Sequence, residues 1–443
     1  MQNHLSSATS RRRFLGTALG SAASLNLLSG FVKGQGTAAN GKLNLAFIGA
    51  GGRAGGNLDG CAATGQTIYA LCDVDKGRAD GAFKKFPGAK VYTDWREMLE
   101  TEGDKIDAVV VSTPDHLHAV STMAALKMGK HVYVEKPLTL TISEARALHA
   151  AAKKAGVCTQ MGNTGHASEG SRLTNEAIQS GSIGEVGEVH CRTNRPIWPQ
   201  DLVRPAGEPV PDTLNWDLWL GPAAERAYHP AYHPFSWRDF WAFGSSHLGD
   251  FGTHDMNSAV RALDLYEPSL VEGYGVGFSN AEIAPYGSLV HYHFPATAKR
   301  QAIKLTWYSG GMRPAQPEAL GAVTHPNRGS LYVGDKGVIQ TDGNGGAPRL
   351  FPAERRAAFV KPEPRLKRSN GHHRDWIDAC KGGEPASCPF DYGAQLTEIV
   401  LLGVLSQRLQ KPIRWDAANM KATGLEAADP LIKAPRRAGW ELV

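Results

Sequence analysis

Four stretches read as apolar runs that end in polar or turn-forming residues: Lys42–Gly49 (KLNLAFIG), Thr67–Asp75 (TIYALCDVD), Ile106–Pro114 (IDAVVVSTP) and His131–Pro137 (HVYVEKP). Near-continuous apolar runs of this length predict strands buried on both faces, as in a parallel sheet. Helical patterns such as Leu117–Gly129 (LHAVSTMAALKMG) lie between them. Strand alternating with helix predicts a doubly wound α/β domain with its ligand crevice at the carboxyl ends of the strands. After Val157–Asn163 (VCTQMGN) the pattern changes. Ile183–Asn194, Ser269–Phe278, Ser288–Phe294, Arg300–Gly310 and Gly329–Gly343 read as strands with hairpin-like punctuation. Long Pro- and Trp-rich connections, notably 195–223, join them and have the character of functional loops.

The turn after the first run, Gly49-Ala50-Gly51-Gly52-Arg53-Ala54, fits G-x-G-x-x-G/A. Gly49 permits a tight turn, Gly51 lets backbone N–H groups approach a pyrophosphate, and Ala54 keeps the next helix close to its strand. With 50 glycines in the chain the turn alone is a weak signal, but the second run ends in Asp73, where a carboxylate accepts hydrogen bonds from an adenosine ribose. Gly49, Gly51, Gly52, Arg53 and Asp73 are therefore expected to hold a dinucleotide. NAD is favoured over NADP, because Val74 and Asp75 offer nothing to a 2′-phosphate and Arg78 is expected to face solvent on the next helix.

Composition refines this picture. The chain has 443 residues, enough for two domains. Its formal charge of +5 is misleading, since residues 1–40 hold four of the 48 basic residues and none of the 43 acidic ones. The remainder is close to neutral and shows no basic stripe, so nucleic acid is not an expected partner. The basic cluster belongs to Ser10-Arg11-Arg12-Arg13-Phe14-Leu15, which resembles a twin-arginine export signal and is followed by a weakly apolar segment too interrupted for a stable membrane span. Residues 1–39 are thus expected to be a signal peptide, 40–160 the dinucleotide domain and 161–443 a second domain, with the mature protein periplasmic. The six cysteines show no CxxC pair or zinc spacing, so no metal site is expected. Mostly buried free thiols are expected, although Cys380 and Cys388 could bridge in an oxidising compartment.

From Leu43 to Asn257 the chain resembles the Gfo/Idh/MocA oxidoreductases. The matching pieces are the glycine turn, Asp73, Thr113-Pro114-Asp115-His116-Leu117-His118, Glu135-Lys136-Pro137 and Asp250-Phe251-Gly252-Thr253-His254, in the family's order. Beyond about residue 260 the likeness is loose. The resemblance implies an α+β second domain with a large, open, mainly antiparallel sheet covering the nicotinamide, and an assembly of two or four copies. It implies that Lys136, Asp250 and His254 form the catalytic group and that Thr113, Asp115 and His118 lie against the cofactor. Glu135 either holds the cofactor ribose or caps its loop, and Asn163 is a cofactor or substrate contact. If Asp250–His254 is helical, positions i and i+4 share a face and the two side chains can act together.

Tyr228–Asp250 packs aromatic rings, Arg and His into a short segment, a composition suited to sugar rings and hydroxyls or to plain interdomain packing. His233, Trp237, Arg238 and His247, with His166, are expected to contact a carbohydrate. His372 and His373 begin a helix and are expected to be structural. Free NAD(H) is scarce outside the cytoplasm, so export implies a retained cofactor and a closed redox cycle. The expected activity is hydride transfer between NAD(P) and a sugar or cyclitol carbinol. A redox-neutral glycosidase and an inactive sugar-binding protein are the alternatives, and retention of Lys136 with Asp250 and His254 weighs against both.

Overall fold

A computed structural model describes residues 41–194 and 203–442. The expected export signal lies outside the described residues. The first sheet contains β1 (Asn44–Ile48), β2 (Thr67–Cys72), β3 (Lys90–Tyr92), β4 (Ala108–Val111), β5 (His131–Val134) and β6 (Thr159–Met161). Their order is β3-β2-β1-β4-β5-β6 and every pairing is parallel. The order reverses direction between β1 and β4, the switch point at which doubly wound sheets bind ligands. All four residues of β4 are buried, as helices on both faces require.

The second sheet contains β7 (Val186–Thr193), β8 (Leu270–Val276), β9 (Gly287–Phe294), β10 (Ile303–Tyr308), β11 (Arg328–Gly334), β12 (Gly337–Asp342), β13 (Arg349–Phe351), β14 (Ile413–Asp416) and β15 (Lys421–Ala422). Its order is β13-β12-β11-β7-β10-β9-β8-β14-β15, antiparallel except between β7 and β10. In β9 fully buried residues alternate with less buried ones from Val290 to Phe294, the period-two signature of a sheet with one covered face. The expected fold class is therefore observed in both domains.

One continuous apolar cluster joins the two sheets, running from Ile48, Val111 and Val134 to Val189, Tyr292 and Trp307. Helix Phe390–Leu409 contributes Leu396, Val400 and Leu402 to it and is buried over most of its length. A second cluster lies on the other face of the first sheet, where Phe47, Leu71 and Tyr133 meet Trp376 and Ile377 of helix His372–Cys380. Residues late in the sequence thus return to cover the first sheet. All six cysteines are unpaired. Cys158 rather than Cys388 is the neighbour of Cys380, in a cluster with His131 whose ligand-type atoms lie within 4.8 Å of one another. Among the described residues no helix is long and apolar enough to cross a membrane.

Candidate active site

The carboxyl ends of β1, β2, β4 and β5 open into a crevice of about 1650 Å³, its mouth included. Gly49 has φ +87°, and a Cβ there would stand 2.8 Å from the carbonyl oxygen of Ser112. The turn therefore packs directly on the end of β4, which only glycine permits. Gly49→Ala is expected to cost about 1–3 kcal/mol, read as a lower denaturant midpoint.

Asp73 holds this turn differently from the expectation. Its Oδ2 accepts from the amides of Ala50 (2.8 Å) and Gly51 (2.9 Å), and its Oδ1 accepts from Asp75 (2.9 Å). The Gly51 amide is thereby spent on the carboxylate and is not left for a pyrophosphate. Among the described residues the amides of Gly52 and Arg53 keep no backbone acceptor, and they precede helix Ala54–Ala62, so the anion-binding end of that helix stays available. Arg78 also departs from expectation. Its side chain lies over Gly51 and Gly52 and lines the crevice instead of facing solvent. A cation therefore stands beside Asp73, and the preference for NAD over NADP loses one of its two supports. The residues fit a dinucleotide: Gly51 still borders the crevice, and the buried Oγ1 of Thr113, also in the wall, has no partner.

Glu135 sits beneath the same wall. Its Oε1 accepts from Arg53 Nε (3.0 Å) and Asn57 Nδ2 (3.0 Å), and Asn57 Oδ1 meets His373 Nε2 at 3.1 Å. Neither Asn57 nor His373 is visible as a site residue in the sequence, because 316 positions separate them. Asp115 lines the crevice and accepts from the Ser245 amide (3.2 Å) and hydroxyl (2.6 Å). His118 is not part of the wall. Its ring nitrogens meet the carbonyls of Pro137 (2.8 Å) and Thr113 (2.9 Å), so it ties the β4 and β5 loops together.

Lys136, Asp250 and His254 converge in this crevice. Leu248–Gly252 forms a π-helical turn that runs into the short helix Thr253–Asp255, so the expected plain helical register is replaced by a wider one. Such turns recur at functional sites because they re-aim side chains. Asp250 Oδ1 accepts from Lys136 Nζ, and Oδ2 lies 3.5 Å from Arg238 Nε. Burial alone would push the Asp250 carboxyl up, but Lys136 and Arg238 outweigh it and hold it well below the usual carboxylate range. Burial, then the positive charges of Lys136 and Arg328, press His254 well below the ordinary histidine value, so its imidazole is neutral at pH 7.

The tautomer of that imidazole follows from Asn163. Asn163 Nδ2 donates to the Thr253 carbonyl (3.0 Å), which turns its Oδ1 towards His254 Nδ1 (2.9 Å). Nδ1 must then carry the proton, leaving the lone pair on Nε2. Asn163 is fully buried and does not line the crevice, so it positions His254 and is not a direct contact of a ligand. Asn163→Ala is expected to lower kcat about tenfold or more with dinucleotide affinity unchanged, measured by steady-state kinetics beside equilibrium binding.

The five expected substrate contacts divide. Trp237 and Arg238 line the crevice, with the guanidinium 4.3 Å above the indole. His233 lines it too, but near β2, where its Nε2 donates to Asp75 Oδ2 at 2.8 Å, so it does not stand with Lys136, Asp250 and His254. His166 and His247 are buried away from the wall. His166 meets Asn257 Oδ1 at 2.8 Å and packs on Tyr392, and burial drives it down to about 3. Burial likewise takes His247 down to about 4. Two unexpected residues, Arg328 and Asn344, close the wall from the second sheet. Both are anchored by Asp255, whose Oδ2 accepts from Arg328 Nε (2.8 Å) and whose Oδ1 accepts from the Asn344 amide (3.1 Å).

A glycine turn, a parallel switch point and an amine, carboxylate and imidazole gathered in one crevice define a two-domain protein with the lining of a dinucleotide site. Two stretches of the chain match models of the Gfo/Idh/MocA oxidoreductase family. Residues 43–163 match the family's NAD-binding Rossmann fold and residues 197–269 its C-terminal alpha/beta domain. The chain is 31% identical over 151 residues to a scyllo-inositol 2-dehydrogenase (NAD(+)) of Bacillus subtilis, and 42% identical over 123 residues to a 1,5-anhydro-D-fructose reductase of Ensifer adhaerens. These matches span 34% and 28% of this chain, and 41% and 36% of the relatives' lengths. The WlbA dehydrogenase of Bordetella pertussis, solved with NADH and UDP-GlcNAcA, has a similar fold. It superposes with a TM-score of 0.59 at 16% identity over 85% of this chain and 99% of that one.

Proposed function

We propose that the protein transfers a hydride between a tightly held NAD(P) and a carbinol carbon of a sugar or cyclitol. The observation that carries this reading is the Lys136–Asp250 ion pair set beside a neutral His254 in the crevice that begins at the glycine turn. The activities of the two relatives, an inositol dehydrogenase and an anhydrofructose reductase, support a polyhydroxylated substrate.

Bound in the crevice, the nicotinamide supplies the hydride acceptor or donor. His254 Nε2, bare and neutral, takes the hydroxyl proton as the carbon–hydrogen bond gives up its hydride. The Lys136 ammonium, held by Asp250, donates a hydrogen bond to the oxygen on which negative charge develops. Arg238 divides its charge between Asp250 and the space above Trp237, where a sugar ring can lie. This assignment makes His254 the base and Lys136 the stabilising cation.

The Ser10–Leu15 motif supports export of the folded, loaded protein. Purified mature protein is therefore expected to release a pyridine nucleotide on denaturation, identified by mass spectrometry, and an empty extract would defeat the retained-cofactor reading. A panel of sugars and cyclitols is expected to reduce the bound nicotinamide. Release of a chromogenic aglycone without net redox change would instead favour the glycosidase.

A further inference from the structure

The segment between Thr213 and Pro234 departs from the second domain and crosses the end of β2. Lys76 donates its amide to the Thr213 carbonyl (3.0 Å), and the Asn215 amide donates to the Val74 carbonyl (2.8 Å). Asp75 and Leu214 form an antiparallel bridge between these bonds. The segment then turns back, and His233 Nε2 donates to Asp75 Oδ2 at 2.8 Å. Its middle is anchored by His116, whose Nε2 meets the Trp219 carbonyl at 2.9 Å, and by Arg437, which donates to the carbonyls of Asp217 (3.0 Å) and Gly221 (3.0 Å).

The segment is stiff, because it carries its own apolar cluster. Trp216 stacks on Trp219 at 4.7 Å, and Trp219 meets Phe243 edge-on at the same distance. Tyr232 and Phe240 are fully buried beside them. Its inner surface, with Leu218, Trp219 and His233, forms the crevice wall that faces Asp73, Val74 and Arg78. That is the end of the crevice at β2, away from Lys136 and His254. A dinucleotide seated on the glycine turn places its adenosine half there.

We infer that Thr213–Pro234 is a strap over the adenosine half of the cofactor site, and that the His233–Asp75 contact is the clasp that sets how fast the dinucleotide leaves. The inference rests on the reading that the crevice binds a dinucleotide. A ligand walled in from both domains cannot leave until one wall moves. The backbone bonds at Thr213 and Asn215 close one end of the strap, and the clasp closes the other. Asp75 also caps helix Lys76–Lys85 by accepting from the Arg78 amide (3.2 Å), so its carboxylate is already fixed when His233 reaches it. Binding to a prearranged partner changes dissociation more than association. His233 is a positioning residue, acting on the cofactor through Asp75 and the strap.

The test uses folded, full-length protein stripped of nucleotide and reloaded with NADH. Release is followed by fluorescence on chasing with excess NAD. His233→Ala is expected to speed NADH release about tenfold or more. It is expected to weaken ADP-ribose, which retains the adenosine end, by a similar factor, while reduced nicotinamide mononucleotide binds as to the unaltered protein. His233→Gln, which keeps an amide donor for Asp75, is expected to recover most of the loss, and Asp75→Asn, which keeps the helix cap, to reproduce His233→Ala in part. Unchanged NADH release in His233→Ala, or equal weakening of ADP-ribose and the mononucleotide, would overturn the clasp. Failure of the unaltered protein to bind any of the three would overturn the dinucleotide reading itself, an outcome distinct from the other two.

Discussion

Lys136→Met is expected to lower the rate at which a sugar reduces the bound nicotinamide by about 10²–10⁴-fold, the range of a lost proton-handling or charge-stabilising group. The side chain is 13% exposed and its ammonium is paired with Asp250, so the substitution also strands a buried carboxylate next to Arg238. A structural collapse would look similar in a single assay. The check is therefore a single-turnover measurement beside NADH binding: the reduction rate falls and dinucleotide affinity stays within a few fold. The double variant Lys136→Met with Asp250→Asn removes the stranded charge. It is expected to recover stability without recovering rate, since the cation at the substrate oxygen is still missing. A Lys136→Met enzyme that reduces its cofactor at an undiminished rate would refute the role given to this lysine.

His254→Ala is expected to produce the second large loss, again about 10²–10⁴-fold, and added imidazole is expected to restore part of it by filling the space with a free base. The pH profile of the unaltered enzyme carries an independent signature. A base must be neutral to act, so oxidation is lost as pH falls through the pKa of His254. Burial and the charges of Lys136 and Arg328 press that pKa down. The acid limb is therefore expected well below the ordinary histidine value of about 6.5, with activity level across neutrality. A limb at or above that value would mean that the imidazole is not held neutral, and would return the proton-accepting role to Lys136.

Sequence and structure agree where burial writes itself into composition. The strands β1, β2, β4 and β5 are apolar runs because helices cover both faces of the first sheet, and each was legible. The strand β3 was not. It is three residues long and lies at the sheet edge, with Lys90 and Val91 exposed, so no apolar run marks it. The strands β13, β14 and β15 at the ends of the second sheet span only two to four residues each, too few for an alternating pattern to show. In the site, Lys136, Asp250 and His254 were legible from short motifs that the fold brings together. Asn57, His373, Arg328 and Asn344 were not, because each acts through a partner far along the chain. His233, expected beside a carbohydrate, lines the crevice near β2 against Asp75. A histidine among tryptophans reads as a sugar contact, and nothing in its neighbourhood announces that its acceptor is Asp75.

Helix His372–Cys380 has a consequence for assembly. Trp376 and Ile377 cover Phe47, Leu71 and Tyr133, so the apolar underside of the nucleotide domain stays bare until the ribosome has made most of the chain. A fragment ending near residue 163 would present that patch to solvent and stick to its neighbours. A dinucleotide is therefore expected to be held by the finished chain and not by such a fragment.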